Sequence, residues 1–175
     1  MQKSDSFRSK LVNGQQVEVS VVDHLQRLLP GYTVRCTNQD HSSLEREEFS
    51  LVDVIVLKGD HPVLGIECKR SSTKFRKCLE INGWDGDFNT PLNNTSLRKY
   101  KESQFPFYVL NINQFCHRVF TADIDTILKS RHDMGQVKES GVIIYNIDSS
   151  TWNCYEGNVK LDTVLLDILK KERLC

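Results

Sequence analysis

The chain has 175 residues, 39% hydrophobic and 26% charged, and its 23 Lys and Arg residues balance its 23 Asp and Glu residues. This length predicts one domain that needs no disulfides, and the balanced charge argues against a protein that coats nucleic acid through its bulk charge. No apolar run reaches the ~18 residues of a membrane span and the first residues lack an apolar signal segment, so we expect a cytoplasmic protein with no membrane partner.

Residues 1–14 are polar, and we expect a loose segment there. Apolar residues recur at helical spacing over 15–29, which predicts an amphipathic helix that Pro30-Gly31 ends. A short strand is predicted over 32–37, followed by a polar loop over 38–48.

Two strand patterns follow, and they are the clearest in the sequence. The run SLVDVIVL at 50–57 is β-branched and almost wholly apolar, and the run VLGIECK at 63–69 returns after turn residues at 58–62. Together they predict an antiparallel hairpin with both faces covered. The polar region 70–94 holds one short predicted helix at 75–79.

The rest of the chain alternates between helical and strand patterns, which indicates a mixed α/β sheet flanked by helices. Helices are predicted over 95–103, 123–131 (capped by Thr121 or Asp123) and 161–173, and strands over 107–112, 115–120, 142–147 and 152–155. We expect a single domain over 15–175, with a core over 15–112 in the order helix, three strands, helix, strand, and a C-terminal extension over 113–175.

The six cysteines form no C-x-x-C pair and have no His at zinc-finger spacing. They are Cys36, Cys68, Cys78, Cys116, Cys154 and Cys175. A disulfide framework is not expected in a chain of this length without an export signal, so reduced thiols are predicted, most of them small core residues.

Three ionisable residues stand inside the hairpin pattern. Asp53 interrupts the first run, where an ionised carboxylate is costly unless a positive or hydrogen-bonding group meets it. Glu67 and Lys69 are two residues apart, so they share a face while Cys68 points to the other. A turn centred on Asp60 would place Asp53 opposite Glu67, with Cβ atoms roughly 5 Å apart. Two such carboxylates repel, and an oxygen-preferring cation, Mg²⁺ or Mn²⁺, would relieve that repulsion.

An Asp followed after thirteen residues by Glu-x-Lys on a hairpin resembles the active-site motif of the PD-(D/E)XK nuclease superfamily. The resemblance covers about residues 15–112 and implies a restriction-endonuclease-like fold and nuclease activity. It implies that Asp53, Glu67 and the main-chain carbonyl of Cys68 bind the metal. It also implies that Lys69 orients or helps to deprotonate the attacking water and stabilises the charged transition state.

Two further positions bear on this resemblance. Members of the superfamily often carry another Glu near the metal on the first helix, and Glu18 fits that position. The residue before Asp53 is Val52 where the motif has Pro, which departs from the pattern without changing any role.

Basic residues cluster after the motif. Between 69 and 101 there are eight basic residues and three acidic ones, and such a surface would bind the phosphates of a nucleic acid. The residues expected to do so are Arg70, Lys74, Arg76, Lys77, Arg98, Lys99 and Lys101. The alternative is a solvated surface with no ligand.

The expected function is a metal-dependent endonuclease rather than an exonuclease, with DNA favoured over RNA and with a homodimer as one way to cut two strands. Other interpretations stay open. Asp53, Glu67 and Lys69 could form a structural ion-pair network, and Glu18 could be a solvent-facing helical residue. The chain could then be a non-catalytic nucleic-acid-binding or assembly module with the same fold, or an unrelated α/β interaction domain.

Overall fold

The computed structural model describes the backbone of residues 3–37, 52–71, 90–93, 103–113, 118–129, 132–137, 143–147 and 152–175. Within these ranges the helices are α1 (Lys3–Leu28), α2 (Ile124–Lys129) and α3 (Leu161–Lys171). The strands in the same ranges are β1 (Thr33–Cys36), β2 (Val54–Lys58), β3 (His61–Ser71), β4 (Thr90–Asn93), β5 (Phe107–Asn113), β6 (Arg118–Asp123), β7 (His132–Val137), β8 (Ile143–Ile147) and β9 (Asn153–Glu156).

These strands form two sheets. The main sheet has six strands in the order β1-β2-β3-β5-β6-β9, in which β3 and β5 are parallel and every other neighbouring pair is antiparallel. The small sheet has three antiparallel strands in the order β4-β8-β7. The protein is therefore a mixed α/β structure with a six-stranded mixed sheet flanked by helices, and the expected fold class is confirmed at this level.

Apolar side chains cover both faces of the main sheet. On one face, Leu25 of α1 and Leu165 of α3 are fully buried against Val54 and Ile66. On the other face, Ile127 of α2 is fully buried in a second cluster. Burial on both sides explains why the central strands appear in the sequence as nearly continuous apolar runs.

The helix α1 is longer than the sequence pattern predicts. It begins at Lys3, inside the segment 1–14 for which a loose conformation is expected. Phe7 and Leu11 keep the i, i+4 spacing of apolar residues in this segment, which explains the extension of the helix beyond its most apolar part.

Several other elements differ from expectation or lie outside the described residues. β6 (Arg118–Asp123) overlaps the strand predicted over 115–120, whose first three residues lie outside the described part of the chain. Asp123 caps α2 as predicted, because its Oδ1 accepts the Thr126 N–H at 2.7 Å. β4 and β7 were not predicted. The predicted loop at 38–48 and helices at 75–79 and 95–103 lie outside the described residues. None of the helices in the described ranges is long and apolar enough to cross a membrane.

Gly65 of β3 occupies a position with no room for a side chain. A Cβ atom there would lie 2.7 Å from Phe105 Cε2 and 2.9 Å from Val52 Cγ1. We therefore expect Gly65→Ala to lower the free energy of unfolding by about 1–3 kcal/mol in urea titrations. Gly31→Ala is the control, because no atom lies within 4 Å of its Cβ position, and it should change stability by less than about 1 kcal/mol. Equal stabilities of the two variants would contradict the close packing at Gly65.

Candidate active site

The hairpin of β2 and β3 carries the predicted site. Gly59 and Asp60 form its two-residue turn, with a φ of +61° at Gly59, where glycine is favoured. The centre of this turn lies between Gly59 and Asp60, whereas the prediction placed it on Asp60. A β-bulge then adds one residue, Val63, to β3, and it compensates for the difference between the observed and the predicted centre.

Beyond the bulge, the pairing of β2 with β3 is the predicted one. Val54 and Ile66 are the last registered pair, so Asp53 and Glu67 are the next residues beyond it, and the Asp53 carboxylate reaches the N–H of Cys68, the neighbour of Glu67. Without the bulge, a one-residue slip would turn the side chains of one strand to the other face. The bulge therefore sets the relative positions of the two carboxylates.

Asp53 lies at a bend immediately before β2, and the prediction that it lies within the strand is wrong. Val52 and Ile55 belong to the same core cluster, although regular alternation would put them on opposite faces. The backbone turns between them, and the Asp53 Oδ2 atom accepts the N–H of Cys68 at 2.8 Å. The Asp53 carboxylate therefore accepts a main-chain N–H of β3 that lies beyond the last residue pair of the β2–β3 ladder.

The main chain at Cys68 faces the side of β3 on which Asp53 lies. The N–H of Gly65 donates to the Pro106 carbonyl on the β5 side at 2.8 Å, whereas the Cys68 N–H donates to Asp53. A strand residue directs its N–H and its C=O to the same neighbour. The Cys68 carbonyl is therefore directed towards Asp53, on the side where the resemblance implies that it binds a metal.

Glu67 and Lys69 form an ion pair on β3. The Lys69 Nζ donates to Glu67 Oε1, and the Glu67 side chain is 12% exposed while that of Lys69 is 38% exposed. Burial lowers the pKa of Lys69, but the charge and hydrogen bond of Glu67 and the charge of Asp53 outweigh it and raise this pKa above its ordinary value. The lysine is thus held in its charged form near both carboxylates.

The thiols of Cys36 and Cys68 lie close enough to the carboxylates of Glu18 and Asp53 to be affected by their charges. Burial raises the pKa of the Cys68 thiol, and the charges of Asp53, Glu18 and Glu67 raise it further. Burial, followed by the charges of Glu18 and Asp53, raises the pKa of Cys36 to about 11. Glu18 is only 9% exposed, so the alternative that it is a solvent-facing helical residue is wrong.

The pKa values of these two thiols predict low reactivity in the folded protein. A pKa of about 11 for Cys36 in place of 9.0 lowers its thiolate fraction at pH 8 about 100-fold. Cys154 and Cys175 are exposed thiols. We expect iodoacetamide at pH 8 to label these two first and to label Cys36 and Cys68 only after unfolding in urea, as resolved by peptide mass mapping. Equal labelling of Cys36 and Cys154 in the folded protein would contradict this arrangement.

Two buried polar residues at the site were not recognised from the sequence. Thr37, directly after β1, is 6% exposed, and it donates hydrogen bonds to the carbonyls of Val52 and Asp53. Asn111 of β5 is 1% exposed and is the register partner of Lys69. A polar residue within an apolar strand is the signal that identified Asp53, and the run FYVLNI contains the same signal at Asn111.

The oxygen donors at this site suit a hard divalent cation. Mg²⁺ is commonly held by one or two carboxylates, with water completing its coordination, and Asp53, Glu67 and the Cys68 carbonyl provide oxygens of this kind. Among the described residues, no three or more His, Cys, Asp or Glu side chains are grouped so that they could hold a metal ion. The structure therefore does not place Glu18 as a third direct ligand beside Asp53 and Glu67.

Of the residues predicted to bind nucleic acid, Arg70 is the one within the described part of the chain. It is partly buried at the end of β3, directly after Lys69. The predicted residues outside the described part are Lys74, Arg76, Lys77, Arg98, Lys99 and Lys101. The prediction that most cysteines are core residues is wrong for the four that are described, because Cys36 alone of these is buried, Cys68 is partly buried, and Cys154 and Cys175 are exposed. Cys78 and Cys116 lie outside the described part.

A cavity of about 580 Å³ lies where β5 begins, away from the candidate site. Its lining includes two polar pairs: Lys171 Nζ donates to Asp123 at 2.7 Å, and the Tyr108 hydroxyl donates to Glu172. None of the predicted site residues that the structure describes lines this cavity.

Comparisons with known proteins give one structural likeness and no sequence family. No protein-family model matches the chain, and no curated protein is similar to it in sequence. The structure is similar to that of D212, a nuclease from a fusselovirus, with a TM-score of 0.49 and 13% sequence identity over 98% of this chain and 96% of that chain. The function of this chain is therefore inferred below from its own residues.

Proposed function

We propose that this chain is a metal-dependent nuclease of the PD-(D/E)XK superfamily with a restriction-endonuclease-like fold. The observation that supports the proposal is the contact of the Asp53 carboxylate with the Cys68 N–H, directly beside Glu67, while Lys69 is bonded to Glu67. A structural ion pair accounts for Lys69 and Glu67. It does not account for a second carboxylate, Asp53, beside them, because two neighbouring carboxylates repel.

Each group at the site has a distinct proposed role. Asp53, Glu67 and the Cys68 carbonyl would hold Mg²⁺ or Mn²⁺, which supplies positive charge at the scissile phosphate. The Lys69 ammonium, fixed by Glu67, stabilises the negative charge that grows on the phosphate and orients the attacking water. Glu18 acts through its charge beside the site rather than as a direct ligand.

The proposed substrate is DNA, cut internally. A phosphodiester backbone carries one negative charge per nucleotide, and binding proteins neutralise it with Lys and Arg. Arg70 follows the site directly on β3, and the other basic residues between 69 and 101 follow it in the sequence. Basic residues that follow the site in the sequence favour a substrate whose phosphate backbone extends beyond the site.

Purified protein is expected to cleave DNA in Mg²⁺ or Mn²⁺ and to stop in EDTA, as measured on supercoiled, linear and single-stranded DNA and on RNA. Lys69→Met should lower the cleavage rate about 10²–10³-fold, the usual cost of losing one preorganised charge or donor at a transition state. Lys58→Met is the control, because Lys58 is an exposed lysine at the far end of β2, and it should cleave like the wild type.

Two results would contradict the proposal. One is cleavage that EDTA does not reduce, or that is equal in wild type and Lys69→Met. The other is nucleic-acid binding without cleavage, independent of divalent metal but steeply weakened by salt, which would indicate a non-catalytic binding module.

A further inference from the structure

The residue that fixes the bend at Asp53 lies on a neighbouring strand. Thr37 follows β1, and its Oγ1 donates to the carbonyl of Val52 while its main-chain N–H donates to the carbonyl of Asp53 at 3.0 Å. The same Oγ1 atom is 3.4 Å from the Asp53 carbonyl. One residue therefore contacts two consecutive carbonyls on either side of the bend.

The Thr37 N–H bond to Asp53 continues the β1–β2 pairing by one step, whereas the Oγ1 bond to Val52 lies outside that pairing. The β1–β2 ladder runs to Cys36 and Val54, and the next donors come from Thr37. Because Val52 has turned into the core cluster that also contains Ile55, its carbonyl is outside the ladder. The Thr37 hydroxyl, which is buried with 6% of the residue exposed, donates a hydrogen bond to the Val52 carbonyl.

We infer that Thr37 is a positioning residue for Asp53, a role that rests on the nuclease function proposed above. Its hydroxyl holds Val52 and thereby the bend, and the bend directs the Asp53 carboxylate to the Cys68 N–H. The contacts of Thr37 at the site are with the carbonyls of Val52 and Asp53. Thr37 acts on the metal site through the backbone of Asp53.

The decisive comparison is between two substitutions of Thr37. Thr37→Val has nearly the same shape but no hydroxyl, whereas Thr37→Ser keeps the hydroxyl. Loss of a group that orients a metal ligand typically weakens metal binding or activity 10–100-fold. We expect Thr37→Val to weaken Mn²⁺ binding about 10–100-fold in calorimetric titrations of the protein without substrate. The Mg²⁺ concentration for half-maximal cleavage should rise by a similar factor, and Thr37→Ser should restore both values.

Thr121→Val is the matched control for the loss of a buried hydroxyl. Thr121 lies on β6 in the same sheet, is 1% exposed, and its side chain is hydrogen-bonded to Tyr155. Thr37→Val and Thr121→Val should both lower the melting temperature. Only Thr37→Val should change Mn²⁺ affinity, which separates positioning of Asp53 from a general loss of stability.

The outcomes separate this inference from the proposed function. If the wild type cleaves with Mg²⁺ but Thr37→Val binds Mn²⁺ like the wild type, the role of Thr37 is wrong and the nuclease proposal stands. The same holds if Thr37→Ser is as impaired as Thr37→Val, or if Thr121→Val is equally impaired in Mn²⁺ binding. A wild type that neither binds Mn²⁺ nor cleaves overturns both.

Discussion

Asp53→Asn is expected to reduce the cleavage rate at least about 10³-fold while leaving the fold intact. Removing a member of a catalytic group in hydrolytic enzymes costs roughly 10⁴–10⁶-fold, and the amide has no negative charge with which to hold a divalent cation. The amide oxygen can still accept the Cys68 N–H that Asp53 Oδ2 accepts at 2.8 Å. Single-turnover cleavage and urea unfolding of the same protein preparation measure the two effects separately.

Asp53→Ala is the matched variant that removes both the negative charge and the acceptor of the Cys68 N–H. It loses the carboxylate and also leaves the Cys68 N–H without its acceptor, which costs about 1–3 kcal/mol when the donor is buried. We therefore expect equal loss of cleavage in the two variants but lower stability in Asp53→Ala alone. If Asp53→Asn retains cleavage within tenfold of the wild type, Asp53 is not a metal ligand and its carboxylate serves only the hydrogen bond to β3.

The central part of the fold could be predicted because its strands are buried on both faces. Runs such as SLVDVIVL and FYVLNI are long, β-branched and apolar, and they became β2 and β5. The terminal helix, predicted over 161–173, is α3 (Leu161–Lys171), because its apolar residues keep a 3.6-residue spacing. For elements of this kind the local pattern of apolar residues is sufficient to predict the element, because buried positions require apolar residues.

The small sheet could be predicted only in part: β8 lies within the strand predicted over 142–147, whereas β4 and β7 have no clear strand pattern. β7 (His132–Val137) has the sequence HDMGQV, which lacks both an apolar run and alternation, and β4 (Thr90–Asn93) contains a proline. β4 pairs with β8 (Ile143–Ile147), which lies far along the chain. Formation of β4 depends on a partner that is distant in sequence, whereas β7 pairs with the nearby β8, and the residue propensities of β4 and β7 report neither pairing.

The residues of the candidate site could be named from the sequence, whereas their local geometry could not. The numbers of paired residues could be estimated from a short turn, and the observed register beyond the bulge agrees with that estimate. The bend at Asp53 has no sequence signal that distinguishes it from a continuous strand, and the signal for the bulge at Val63 is the preceding Pro62. Thr37 lies next to a strand and was read as part of it, so its contact with Val52 could be seen only in the folded chain.

Glu67→Gln is expected to abolish both cleavage and the stabilisation of the protein by Mn²⁺. A ligand that binds only the folded state stabilises it by about 2.7 kcal/mol at 100 times its dissociation constant. For a chain of this size about 1 kcal/mol shifts the melting temperature by roughly 2–4 °C. Wild type should therefore melt roughly 5–10 °C higher in saturating Mn²⁺, and Glu67→Gln should show no such shift. Its cleavage rate should fall at least about 10³-fold, as for Asp53→Asn.

The same variant distinguishes a metal site from a structural ion pair. The Gln oxygen can still accept the hydrogen bond from Lys69, so stability in EDTA should remain within about 1–2 kcal/mol of the wild type, less than the cost of breaking a buried pair outright. Glu156→Gln is the control, because Glu156 is an exposed partner of Arg118 on β9 at 2.9 Å, and it should keep the full Mn²⁺ shift. If Mn²⁺ stabilises wild type and Glu67→Gln equally, the cation binds elsewhere. The carboxylates of β2 and β3 would then be a structural network rather than an active site.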